Sequence, residues 1–523
     1  MRRTKRWMPR RRWIIALAAA IAACGAIAGW RWRQERIRLV TLQAGKTAYL
    51  HYELVEIRLT AKDPALLSRW KDAAPEAVVR FHGAEVTTVA GIRRFRLAES
   101  GGAFTARWPV PWNAEAGDYE IALLGQDDLG ERLQRRGFRI ERRAPAPLPR
   151  GFSILTLELA TPLGLMKVLG PDGKMTDWRG MLDWAKYIGA DAFWMMGGQT
   201  PGLKPGETWV ETNLDLIPTV AAECKKRGLK FGVYAMCYLT MSHEPLARYE
   251  YARDAKEGHT IPTRAISLRD PKRPRDVAAL LKRFRDIPGV DFVGLDYIRN
   301  ALGGYELAED FFAEMPGVHP PPEWPNLSPE ARMVWFARKK IMRQDLAFID
   351  AWQWWRAHTV AGIVRGIKDE LGDKAPLWAF TLTWDKGWNH GQDPVMMNDA
   401  GVDADALMMY QADKAQFETM VRDWRRYVRR GDVQLIVGDI FDWPLHQKDP
   451  AGPRELYRRA VTAADQIYSD GPAHGVFFHD ASRALSGRLG PWGTRGWMDQ
   501  ARSAVRHVKE KANETSIREA RRP

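Results

Sequence analysis

The spacing of apolar positions changes once along this chain, near residue 150. From Ile37 to about Glu141 they come in short, partly alternating runs: Ile37–Leu42, Ala48–Leu59, Glu76–Phe81, Phe95–Leu97, Ala103–Trp108, Asp118–Leu124 and Gly137–Ile140. Gly, Pro, Asn and Asp punctuate these runs, as they do between β-strands. The segment R-R-A-P-A-P-L-P-R, Arg142–Arg150, is rich in proline and reads as a semi-rigid linker. Beyond it, buried-type strands alternate with helical periodicity. The predicted strands are Ser153–Leu159, Ala192–Met196, Lys230–Tyr238, Phe292–Leu295, Leu377–Trp384, Ala406–Tyr410, Val433–Val437 and Gly475–Phe478. Helices are predicted at Trp178–Ile188, Leu214–Arg227, within Pro329–Leu371, and at Ala415–Arg429, Glu455–Tyr468 and Trp497–Ala512. Eight strands alternating with helices point to a (β/α)8 barrel with long loops. A doubly wound open sheet is the alternative, but no glycine-rich phosphate loop follows the first strand. The domain expectation is therefore a β-sandwich over residues 37–143, a linker over 144–150, a barrel over 151–512 and a basic tail over 513–523.

The stretch Ala265–Asn300 shows one such unit in full. A turn at Asp270-Pro271 precedes a helix carrying Val277, Leu280, Leu281 and Phe284 at helical spacing. Pro288-Gly289 stops the helix. The strand that follows ends on Asp296, on the same face as Gly294 because side chains alternate along a strand. In barrels of this kind the C-terminal ends of the strands face the active site. A glycine two residues before the acid leaves room there for a ligand. The plainer alternative is an aspartate that caps its own loop.

The run G-V-D-F-V-G-L-D-Y-I-R, ending at Arg299, resembles the Y-D-V-D-G-I-x-x-D-Y-I-R signature of bacterial glycoside-hydrolase-like TIM-barrel families. Asp270-Pro271 and Arg275-Asp276-Val277 resemble their N-P-x-x-x-x-x-R-D-Y lead-in. The match is close over Ala265–Arg299 and looser, in order of elements, from about Phe152 to Ala484. It implies a TIM barrel in which Asp296 ends the fourth strand, where related sugar-cleaving barrels carry a catalytic carboxylate. Asn300 stands where these families often have an aromatic-Pro pair, and no second carboxylate sits at a matching motif. Ala116–Ile121, A-G-D-Y-E-I, resembles the late strand of a bacterial immunoglobulin-like sandwich, although the Cys-Trp-Cys core of antibody domains is absent.

Composition and charge narrow the partners. The chain has 523 residues and a net charge of +15. Much of that charge lies at the termini, in Arg2–Arg12 and in Arg518, Arg521 and Arg522. With no nucleic-acid fold signature, the basic balance reads as solvated or membrane-orienting rather than nucleic-acid binding. The basic start precedes an apolar run, Trp13–Trp30, in the pattern of a signal or signal-anchor over residues 1–36. Its orientation places the rest of the chain outside the cytoplasm. Ile21-Ala22-Ala23-Cys24 also fits a lipoprotein cleavage box, so an inner-membrane anchor, a lipoprotein through Cys24 and a cleaved signal all stay open. Only Cys24, Cys224 and Cys237 are present, with no C-x-x-C pair and no clustered histidines. No metal site and no cofactor are indicated.

The predicted strand ends gather carboxylates, amides and aromatics. In strand order they are Glu158; Trp194; Tyr234; Asp296 with Arg299; Trp384, Asp385, Trp388 and Asn389; Tyr410; Asp439 with Trp443; and His479 with Asp480. Cleaving a glycosidic bond takes one carboxylic acid to protonate the leaving oxygen and a second carboxylate as nucleophile or base. The two need different environments. Flat rings stack on sugars, and polar side chains read hydroxyls. Asp296, Asp385 and Asp439 are the catalytic candidates, and the others are candidates for substrate binding. Asp385 stands after the fifth strand, where amylase-type barrels place a Glu acid, and Asp439 after the seventh, where they place a third carboxylate. Arg299 would hold Asp296 ionised by its charge, or bind an acidic sugar. Trp352, Trp354 and Trp355 read as helix packing. The expectation is an extracytoplasmic glycoside hydrolase acting on a cell-envelope or secreted polysaccharide. A sugar-binding barrel without catalysis and an envelope scaffold are the alternatives.

Overall fold

The computed structural model describes residues 21–29, 40–61, 74–124, 135–158, 162–200, 213–240, 248–299, 303–383, 388–410, 413–441, 452–485 and 491–520. The chain forms two compact units. The first comprises Met1–Tyr49, Leu54–Val110 and Glu115–Glu141; the second comprises Leu50–Glu53, Pro111–Ala114 and Arg142–Pro523.

The first unit is built from two sheets. One has the order Val40–Ala44, Leu54–Ala61, Ala103–Pro109, Ala98–Ser100, all antiparallel. The other has the order Ala48–Tyr49, Arg135–Ile140, Gly117–Leu124, Glu76–Phe81, Ala84–Glu85, with Arg94–Arg96 also paired to Glu76–Phe81. Alternation decides the inner face: Val55, Ile57 and Leu59 are buried while Glu56 and Arg58 are exposed. Trp108, Ile121 and Phe138 fill the core, and Tyr119 stacks between Phe81 at 4.5 Å and Phe138 at 5.6 Å.

The second unit is a closed eight-stranded parallel barrel. Its strands, in order, are Phe152–Leu157, Ala192–Thr200, Lys230–Thr240, Phe292–Asp296, Leu377–Leu382, Ala404–Met408, Leu435–Ile440 and Gly475–His479. Each pairs with the next, and the eighth pairs back to the first at Phe152↔Gly475 and Leu155↔Phe478. Every residue of the first strand, F-S-I-L-T-L, is buried, because a barrel strand has the interior on one side and helices on the other. Helix Arg179–Ile188 buries Met181, Leu182, Trp184, Ala185 and Ile188, then stops at Gly189 in the left-handed region. In helix Arg273–Arg285 the four apolar positions read from the sequence are all buried. The long segment after the fourth strand divides into helices Pro329–Ile341 and Leu346–Leu371, capped by Ser328 and Asp345 respectively. Trp352, Trp354 and Trp355 are buried there, in packing roles. A hairpin absent from the sequence reading, Tyr251–Lys256 with His259–Ile266, extends the third strand at Leu239↔Ala265.

Aromatic rings fill the barrel interior. Trp194 stacks on Phe380 at 4.2 Å and Phe292 on Trp378 at 4.0 Å. Glycines make the room. A Cβ on Gly232 would lie 2.2 Å from the Phe292 ring, and one on Gly294 would lie 2.3 Å from the Trp194 ring. The space beside Gly294 is thus filled by an indole, which corrects the expectation that a ligand approaches there.

No helix among the described residues is long and apolar enough to cross a membrane. Of the apolar run Trp13–Trp30, only Ile21–Gly29 is described, as helix.

Candidate active site

Strand parity sorts the sequence candidates into those facing the interior and those facing the helices. On the first strand Phe152 and Ile154 point inward, so Thr156 and Glu158 do too. On the fourth, Phe292 places Gly294 and Asp296 inside. On the eighth, Phe477 does the same for His479. Tyr410, just beyond the sixth strand, packs with the interior cluster. These residues converge at the C-terminal end of the barrel.

Closure of the barrel brings the first and last strands together. Glu158 Oε2 and His479 Nε2 are 2.9 Å apart, and His479 Nδ1 is 2.7 Å from Thr156 Oγ1. The Tyr410 ring stacks on the imidazole at 5.6 Å. The peptide between His479 and Asp480 is cis. Asp480 accepts from Ser482 and from the Arg483 amide, and its other oxygen lies 3.4 Å from Arg483 Nε. Asp296 accepts from the Tyr297 amide at 2.7 Å. Tyr297 takes a left-handed backbone (φ 50°) and carries the Arg299 guanidinium over its ring at 4.4 Å.

These surroundings drive the two carboxylates apart. Burial and then the charge of Glu158 push Asp296 up to about 7, against the opposing pull of Arg299 and His479. Arg299 therefore does not hold Asp296 ionised, as its spacing in the sequence suggested; desolvation and a like charge outweigh it. Glu158 moves the other way. Burial alone would raise it, but the hydrogen bond and charge of His479, helped by Arg483 and Arg299, hold it below the usual range. His479 is raised in turn: burial opposes its charge, and Glu158, Asp480 and Asp296 favour it. Below about pH 7 the site therefore pairs a largely protonated Asp296 with an ionised Glu158 beside an imidazole biased toward its charged form.

Several candidates lie elsewhere. Asp439 belongs to the seventh strand, between the inward Ile436 and Ile440, and so faces the helices. There it lies 3.7 Å from Arg459 on helix Pro453–Gln466, and both side chains are only 3% exposed. Burial pushes it up to about 6. Its expected place among the carboxylates at the strand ends facing the mouth is corrected. Trp194 is fully buried mid-barrel, because its strand runs on to Thr200, and it offers no face to a sugar. Tyr234 is also fully buried, with its hydroxyl donating to the Leu157 carbonyl at 3.1 Å. Trp388 stacks on Trp112 at 4.1 Å and donates to Asp393, so a neighbouring indole takes the face proposed for sugar. The backbone carbonyl of Asn389 accepts from Arg356. Trp384, Asp385 and Trp443 lie outside the described residues.

Sequence reasoning missed Thr156 and Arg483. Both were accessible by simple counting, Thr156 two positions before Glu158 on a strand and Arg483 three after Asp480 at a helix start. Oxygen and nitrogen atoms of Glu158, His479 and Asp480 also lie within 4.8 Å of one another, close enough to hold a cation. Ligand spacing along the sequence could not show this, because Glu158 comes from the first strand and His479 from the eighth, 321 residues apart. Both imidazole nitrogens already have hydrogen-bond partners, so an ion would have to displace Glu158 or Thr156.

No protein-family model matches the chain, and no curated protein does. Among solved structures it is similar to a cycloisomaltooligosaccharide glucanotransferase from Paenibacillus sp. at 11% identity, over 79% of this chain, with a TM-score of 0.31. It is similar to the exo-β-1,4-mannosidase Op5Man5 from Opitutaceae bacterium strain TAV5 at 12% identity, over 71% of this chain, with a TM-score of 0.37. This chain spans 54% and 62% of the lengths of those two proteins. Endo-glycoceramidase II from Rhodococcus sp. is similar at 16% identity, over 68% of this chain and 81% of its own, with a TM-score of 0.39.

Proposed function

We propose that the barrel is a glycoside hydrolase in which Asp296 is the general acid and Glu158 its partner carboxylate. The observation that carries this reading is the opposite displacement of the two groups at one end of the barrel. Separated protonation states are what acid–base cleavage of a glycoside requires. Asp296 gives its proton to the leaving oxygen. Glu158 supports the anomeric carbon as nucleophile, or takes a proton from the attacking water. His479, anchored by Thr156, keeps Glu158 ionised and oriented. Product analysis over a polysaccharide panel tests this with wild type, Asp296→Asn and Glu158→Gln. Loss of the acid should lower turnover by about 10²–10⁴-fold. Full activity in Asp296→Asn would overturn the assignment. A sugar-binding barrel without catalysis is the second reading, favoured by the engagement of one Glu158 oxygen by His479.

The first unit is proposed to be an immunoglobulin-like accessory module. Its sheet orders support this: one matches A-B-E-D, and the other contains G-F-C. The basic start and apolar run support export and membrane tethering of the whole chain. Protease added to spheroplasts should then degrade the barrel, whereas protection until lysis would count against export.

A further inference from the structure

Among the described residues, Arg299 is a cation at the barrel mouth that makes no direct ion pair, although Asp296 and Glu158 act on it through space. Arg483 has Asp480 at 3.4 Å and His479 has Glu158 at 2.9 Å. No carboxylate among the described residues comes within 4.0 Å of the Arg299 guanidinium, and its Nε is buried without a hydrogen-bond partner. The group instead rests on the face of Tyr297, whose left-handed backbone follows directly from Asp296. Buried charge is normally paired, because desolvation without a counter-charge is costly. A second unmet donor stands at the same end of the barrel. Tyr410 is only 7% exposed, its ring lies on His479, and its hydroxyl has no partner. Both groups interact electrostatically with Asp296 and Glu158.

We infer that Arg299 reads a carboxylate on the substrate, so that the sugar bound beside Asp296 is a uronic-acid type ring. This rests on the glycoside-hydrolase reading of the same site. A neutral hydroxyl would satisfy Nε but give the guanidinium no directly paired charge. A carboxylate does both, and the planar guanidinium fork matches its two oxygens. Tyr410 is left to donate to a ring hydroxyl.

The test uses full-length Asp296→Asn protein, so that binding is measured without turnover. Glucuronate and galacturonate are titrated against glucose and galactose by saturation-transfer NMR. The uronates should bind about ten-fold or more tightly than the matching neutral sugars, the range of a charge-assisted hydrogen bond. Adding Arg299→Gln should remove that preference and leave neutral-sugar binding within about two-fold. Arg299→Lys, which keeps the charge, should restore part of it. Uronates that bind no better than neutral sugars, or not at all at tens of millimolar, would overturn the inference, as would equal losses for both classes in Arg299→Gln. The hydrolase reading fails separately. A uronate preference intact in Asp296→Asn, with wild type cleaving no uronate-containing glycan, sinks catalysis and leaves the binding inference standing.

Discussion

Asp405 carries a pH-dependent cost that one substitution should reveal. It lies on the sixth barrel strand between the inward Ala404 and Ala406, fully buried on the helix side. One oxygen accepts from Thr381 Oγ1 at 2.7 Å and the other has no partner. Burial pushes the group up to about 8, far above an unfolded aspartate near 4. A raised acid contributes its full stability below the unfolded value, and that contribution is lost as pH climbs through the folded one. About four units at roughly 1.4 kcal/mol each make this roughly 5 kcal/mol between about pH 4 and pH 8. Asp405→Asn removes the titration, keeps an acceptor for Thr381, and buries an amide NH2 at a cost of about 1–3 kcal/mol. At pH 8 the variant should be more stable than wild type by roughly 2–4 kcal/mol. Near pH 5, where the wild-type cost is only about 1–2 kcal/mol, the gain should vanish or reverse. Denaturant titrations of both proteins at several pH values, read as differences so that other groups cancel, measure this. A wild-type-to-variant difference that stays constant from about pH 5 to pH 8 would refute the reasoning.

Other substitutions separate structural from catalytic roles. Gly294→Ala should destabilise the barrel by about 1–3 kcal/mol or more through overpacking against Trp194, seen as a lower denaturation midpoint. Asp439→Asn should keep turnover within a few-fold, because Asp439 faces Arg459 and not the mouth; a loss as deep as that of Asp296→Asn would return it to the site. His479→Gln removes the positive charge that helps to lower Glu158, so the acidic limb of the pH–rate profile should move upward. An unmoved limb would mean that Glu158 does not set it.

The barrel strands were legible because parallel strands covered on both faces read as mainly apolar runs with few charges, as F-S-I-L-T-L does. The site was legible only in part. Ending the second strand at Met196 and the seventh at Val437 left Trp194 and Asp439 looking like mouth residues. The strands run on to Thr200 and Ile440, so Trp194 sits in mid-barrel and parity turns Asp439 outward. Glu158 and His479 are 321 residues apart, and only closure of the first strand on the eighth makes them partners. The motif around Asp296 marked the acid, but nothing local to it disclosed which carboxylate would raise it.

The opposite protonation of Asp296 and Glu158 can be tested without knowing the sugar. Infrared difference spectra of wild type minus Asp296→Asn isolate the carboxyl C=O band of Asp296 across a pH titration. The expected band is present at pH 5 and fades with a midpoint near 7. Adding Glu158→Gln to both proteins should lower that midpoint, because the neighbouring negative charge is gone. An Asp296 already ionised at pH 5, or a midpoint unchanged by Glu158→Gln, would contradict the acid–base pair.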